Sequence, residues 1–274
     1  MKKNFLKDII DLHFHAGPDV RARKLTYLEA ALQARKAGMK AILIKSHVTI
    51  TADIAAMLQP LVPGLLIFGG VALNDPLGGL NSHAVDAALK LGARQVWMPT
   101  LSAANQHRYE KKKGGITVLT GKGQLKKEVH EILEILSQHD VILSTGHLSQ
   151  EEIRALIRDA KRKRIEKILV THPDHLVLAI PVNDQQDLVR EGVSFDRCFP
   201  TEETSALTLE GMAAVIRKVG ISSTVLSTDF GQPQNPTPVE GMKLYIEGLQ
   251  GCAFSDQEID QMVRVNPARL LNIS

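Results

Sequence analysis

Short runs of apolar and β-branched residues recur along the chain, and each is followed by a longer stretch whose apolar positions return with helical period. The runs near 9–14, 40–45, 65–72, 94–98, 141–145, 167–171, 193–198 and 223–228 predict eight strands. Alternation of strand and helix demands a parallel sheet with crossover helices. Eight such units in 274 residues predict an α/β fold, the closed TIM-like (β/α)8 barrel. An open doubly wound sheet is the competing arrangement. Helix starts are legible too: Thr26 with Glu29, Ser149 with Glu152 and Ser255 with Glu258 have capping-box spacing, and Gly38 stands where a C-cap glycine belongs. No linker or shift of composition divides the chain, so residues 1–274 are read as a single barrel domain. Residues 101–123, with Lys111-Lys-Lys113 and Gly114-Gly115, are too long for a turn and predict a loop or small hairpin over one end of the barrel.

Polar residues interrupt this pattern at telling places. His13 and His15 lie two apart at the end of the first run, a spacing that puts both imidazoles on one face of a strand. Alone, the pair fits a half-buried strand as well as it fits half of a transition-metal site. Its company favours the metal. Lys45, His47, Asn74, Thr100, His147, His172, Glu202 and Asp229 all fall at or just past the C-terminal ends of predicted strands. In a barrel those ends form one rim, where active sites are built. His13, His15, His147, His172 and Asp229 are residues of metal-ligand type; Lys45, His47, Asn74 and Glu202 are candidates for substrate binding. Lys45 would enter the mouth as a cation for a substrate carboxylate or a developing oxyanion. His175 follows His172 so closely that either could face the metal. Asp19, Arg21 and Arg23 in the first βα loop read either as an anion clamp or as a solvated loop.

Composition narrows the function classes. With 44% hydrophobic residues the chain can bury a large core, while 33 basic against 30 acidic residues give a net charge of only +3. Aromatic residues make up 4%, which leaves few stacking platforms, and Lys161-Arg-Lys-Arg164 sits where a helix end welcomes positive charge. Nucleic acid is therefore not expected as a partner; a small molecule is. Cys198 and Cys252 form neither a disulfide framework nor a CxxC thiolate site, and no run approaches a membrane span, so a reducing, cytoplasmic setting is expected. Oligomeric state is left open, a homo-oligomer included.

The order His13-x-His15 on a first strand, His147 after a fifth, His172 after a sixth and Asp229 after an eighth resembles the amidohydrolase superfamily of metal-dependent hydrolases. The closing segment from Phe254 to Leu271, with Asn266-Pro-Ala268, is similar to the ending of its compact members. The resemblance implies a metal at the C-terminal rim, with His13 and His15 as ligands, His147 as a further ligand, and Asp229 as ligand and base for a metal-activated water. It makes His172 a second-metal ligand or a group that polarises the substrate carbonyl. Binuclear members carry a bridging Lys or Glu after the fourth strand, whereas this chain reads Gln95-Val-Trp-Met-Pro-Thr100. One divalent ion is therefore expected in preference to two, zinc first, with manganese or iron as alternatives. The chain is too short for the flanking β-sandwich of hydantoinase-like members, which points toward single-domain relatives of the TatD or decarboxylase kind. The implied activity is hydrolysis of an amide, ester, lactone or related bond in a small anionic substrate. A non-oxidative decarboxylase, a TatD-like nuclease and a non-catalytic metal- or ligand-binding barrel are the alternatives.

Overall fold

A computed structural model describes residues 6–274. Eight strands form, each within one residue of its expected span at both ends: β1 (Ile10–Phe14), β2 (Ala41–Ile44), β3 (Leu66–Ala72), β4 (Gln95–Trp97), β5 (Ile142–Ser144), β6 (Ile168–Thr171), β7 (Ser194–Cys198) and β8 (Thr224–Ser227). They pair in chain order, all parallel. The helices are α1 (Tyr27–Lys36), α2 (Ala52–Leu58), α3 (Ser82–Lys90), α4 (Ala104–Tyr109), α5 (Lys127–Leu136), α6 (Gln150–Arg162), α7 (Val182–Arg190), α8 (Leu209–Val219), α9 (Pro238–Gly251), α10 (Asp256–Asp260) and α11 (Asn266–Leu271). This is the TIM-like barrel, not the open sheet.

Strands buried on both faces need apolar residues on both, and they have them. Ile10, Leu12, Leu43, Trp97, Ile142, Leu169 and Val225 pack together inside the barrel. Phe14, Ile42, Ile67 and Leu226 pack outward among helix residues such as Ala31, Tyr245 and Ile246. The three expected capping boxes form, and a fourth, Thr237 with Glu240, starts α9 behind Pro238.

The barrel closes where β8 meets β1. The Asp229 N–H donates to the His13 carbonyl at 2.7 Å, and the His15 N–H to the Phe230 carbonyl at 2.7 Å. Asp11 fills the seam below: its buried carboxylate accepts from the Thr228 hydroxyl at 2.7 Å, the Thr228 N–H at 3.3 Å and the His13 N–H at 3.1 Å. Burial pushes the Asp11 carboxyl up to about 7 in spite of these bonds. The register of β1 against β2 shifts between Asp11 and Phe14, a bulge that lets Leu12 belong to the inner core while His13 beside it also reaches the barrel mouth.

Candidate metal centre and substrate cleft

Each site residue stands at the C-terminal end of a strand or just beyond it. His13 Nδ1–H donates to Asp196 Oδ2 at 2.7 Å. That bond fixes the tautomer, so Nε2 of the neutral ring is a bare lone pair. His13 Nε2 lies 3.0 Å from Asp229 Oδ1, and His15 Nε2 lies 3.1 Å from the same oxygen. Two ring nitrogens and a carboxylate oxygen meeting this closely repel one another unless a proton or a cation sits among them. Their separations suit tetrahedral ligands about 2.0–2.1 Å from a zinc ion. Among the described residues, His13, His15 and Asp229 form one such triplet, and His13, His172 and Cys198 form another that shares His13.

Backbone geometry holds these groups. Asp229 and His172 adopt left-handed φ angles of 54° and 48°, conformations that cost a non-glycine residue about 1–3 kcal/mol and persist where the surroundings over-determine them. Here the His172 N–H is held by the Asp196 carbonyl at 3.1 Å, as that of Asp229 is by His13. Gly231, at φ 148°, admits no side chain: a Cβ there would lie 2.1 Å from the His15 carbonyl oxygen. Gly146, at φ 61°, lets the chain pass Met98 and Pro99, and the His147 N–H then donates to the Pro99 carbonyl at 2.9 Å.

Lys45 lies fully buried beside the triplet, with Nζ 2.9 Å from His13 Nε2 and 5.4 Å from the centre of the Trp97 ring. Burial pushes its pKa down, against the opposing pull of Asp229. Burial likewise lowers His15 to about 4 and holds His47, His147 and His172 well below their ordinary value, so these rings are neutral at physiological pH. Burial alone would raise Asp229, but the surrounding imidazoles of His13, His172 and His15 hold it well below the usual carboxylate range.

These groups floor a cleft of about 340 Å³ walled by Arg21, Arg23, His47, His147, His175 and Gln232. Among the described residues lining it, Asp229 is the sole acid against Arg21, Arg23 and Lys45. Asp19 accepts from Arg23 Nε at 2.8 Å and so holds one guanidinium at the wall, which favours the clamp over the solvated loop. His172, not His175, faces the triplet: its Nε2 is 3.7 Å from Asp229 Oδ2, whereas His175 Nδ1 accepts the Val177 N–H at 3.1 Å.

Two expected substrate contacts stand elsewhere. Asn74 is buried, but its side chain is fully engaged, donating to the His47 carbonyl and Thr100 Oγ1 and accepting the Thr100 and Ser102 N–H groups. It ties the β2, β3 and β4 ends together and is not among the residues lining the cleft. Glu202 is exposed and outside the cleft, because a Thr201–Thr204 turn closes beneath it and brings Thr204 to the wall. Asn74→Ala is therefore expected to lower unfolding stability by about 1–3 kcal/mol, and Glu202→Ala to leave it within about 0.5 kcal/mol. Urea melts of both variants measure this; equal effects would refute the two placements.

His147 reaches the cleft wall, yet it belongs to neither metal-ligand triplet. Asp196, Cys198 and Gln106 were not foreseen. Asp196 was signalled only as one of two adjacent charges, with Arg197, inside the seventh strand between Phe195 and Cys198. The expected loop over the rim carries α4, whose Gln106 lines the cleft. A buried ion pair of Arg197 with Asp174, joined by Gln185 at 2.7 Å, ties α7 and the loop bearing His172 and His175 to β7.

The barrel has the fold of amidohydrolase-superfamily structures. It is similar to the probable dipeptidase PvdM from Pseudomonas aeruginosa, with a TM-score of 0.71, 10% identity, and coverage of 98% of this chain and 95% of that one. An amidohydrolase from Pseudomonas aeruginosa gives 0.64, 15%, 98% and 97%. The 2,6-dihydroxybenzoate decarboxylase from Rhizobium gives 0.60, 12%, 97% and 99%. No curated protein matches the chain. Among the described residues no helix is long and apolar enough to cross a membrane. A family of unknown function, DUF6282, matches residues 8–196, well over half of the chain, and the protein belongs to that family.

Proposed function

We propose that the protein is a metal-dependent hydrolase that cleaves an amide, ester, lactone or related bond in a small anionic substrate. The observation that carries this reading is the meeting of His13 Nε2, His15 Nε2 and Asp229 Oδ1 on the floor of a cleft whose other charges are cationic. One divalent ion, zinc first, held by His13, His15 and Asp229 with His172 beside them, supplies Lewis acidity for a carbonyl and for water. Asp196 keeps His13 in the ligating tautomer. Asp229 orients water through its carboxylate and accepts its proton. Arg21, Arg23 and Lys45 bind and orient the substrate's negative charge. We place this activity in the cytoplasm, where both cysteines stay free.

Decarboxylation is the second reading, favoured by the same cationic wall and by the fold shared with the Rhizobium decarboxylase. Product analysis separates the two. Small carboxylate-bearing amides, esters, lactones and aromatic acids are incubated with zinc-loaded protein in ¹⁸O water. Label in the product supports hydrolysis; carbon dioxide release without label supports decarboxylation. Turnover should fall at least about 10²-fold in Asp229→Asn. Wild-type rates in that variant would show the base role of Asp229 to be misassigned, and no turnover of any substrate by the metal-loaded protein would overturn the enzymatic reading.

A further inference from the structure

We infer that Gln106, on α4, and Glu110, at the C-terminal cap of α4, are positioning residues that preset His147 to accept a hydrogen bond from a substrate N–H or O–H group at Nε2. The substrate here is that of the hydrolase reading above, while the polarity follows from hydrogen bonding alone. The Glu110 carboxylate, paired with Lys112 at 2.7 Å, can only accept. It accepts from the Gln106 amide nitrogen at 2.7 Å. The amide is thereby oriented, and its oxygen faces His147 Nδ1, also at 2.7 Å. An amide oxygen cannot donate, so His147 carries its proton on Nδ1 and the neutral ring presents a bare lone pair at Nε2.

That lone pair has no partner among the described residues, although His147 is buried and lines the cleft. The ring's place is fixed from its backbone as well: the Asn105 side chain bridges the carbonyls of His147 and Val177. Neither metal-ligand triplet includes His147, and its ring lines the cleft that would hold the substrate. Reversal of the Gln106 amide would turn the same ring into a donor at Nε2, and Glu110 is what prevents that reversal. A substrate with a donor at this distance from its scissile bond pairs the lone pair; one without it leaves the lone pair buried and unpaired.

The test is ¹⁵N NMR of histidine-labelled, metal-free protein at mildly alkaline pH, with the His147 signals identified from their loss in His147→Gln. The wild type should show a protonated Nδ1 and a pyridine-type Nε2 at His147. In Glu110→Gln and Gln106→Leu the two tautomers should mix. One equivalent of Zn²⁺ should shift His13 and His15 and leave His147 Nε2 in place. A protonated Nε2 in the wild type, an unchanged tautomer in both variants, or a zinc-induced shift of His147 Nε2 would each overturn the assignment. If zinc fails to move His13 and His15, the metal reading falls, while a protonated Nδ1 at His147 still supports the relay.

Discussion

Alanine at both His13 and His15 is expected to lower zinc affinity at least about 10³-fold and to leave the purified protein without stoichiometric metal. Structural zinc sites of four ligands bind with about 10–16 kcal/mol of apparent free energy, so two nitrogens account for a large share of it. The two imidazoles are buried and converge on one carboxylate oxygen, and among the described residues no other histidine pair shares an acid at hydrogen-bond distance. Asp196→Asn should act more weakly, by about 10–100-fold, because it disturbs only the orientation and basicity of His13. Zinc titration against a competing chelator measures all three proteins. Equal affinity in the double variant and the wild type would remove the metal centre; a loss in Asp196→Asn as large as in the double variant would mean that Asp196 itself is a ligand.

The architecture was legible because two hydrophobic periods, one for strands and one for helices, follow one another eight times, and tertiary packing had no reason to override them. The ligand-type residues were legible for a related reason: a barrel gathers all strand ends at one rim, so position along a strand already fixes position in space. That logic says which rim a residue reaches and not whether it points in or out. Glu202 shows the difference, since a single threonine turn after β7 sends it to solvent and Thr204 to the cleft. Asn74 reaches the rim buried, yet its hydrogen-bonding capacity goes to neighbouring backbone. Gln106 was hidden because the path of a long connection is set by tertiary contacts that leave no periodic trace. The bulge in β1 was hidden too, since it is a register break between two strands and not a property of either.

Metal-free protein is expected to lose stability steeply as pH falls from 6.5 toward 4. His15, His47, His147, His172 and His175 have folded pKa values below their ordinary 6.5, His15 at about 4, chiefly because burial penalises the charged ring. In this window the unfolded chain protonates all five and the folded protein resists, so unfolding takes up protons and acid favours it. Asp11 works the other way. Its folded pKa of about 7 stands above its ordinary 3.8, so it releases a proton on unfolding throughout the same window. Uptake at five rings against release at one carboxyl leaves a net uptake of several protons, each worth about 1.4 kcal/mol per pH unit. A domain holds only about 5–15 kcal/mol in all, so a chelated sample should melt many degrees lower at pH 5.5 than at pH 7. His47→Gln removes one titrating ring, which stacks on His15 at 4.7 Å without belonging to the metal triplet, and should flatten the dependence by up to one proton's share. Zinc at pH 7 should raise the melting temperature, because only the folded state gathers the ligands. A melting temperature unchanged between the two pH values would mean that these rings are not held neutral by burial, and that the metal-free site draws protons into the space among His13, His15 and Asp229 without loss of the fold.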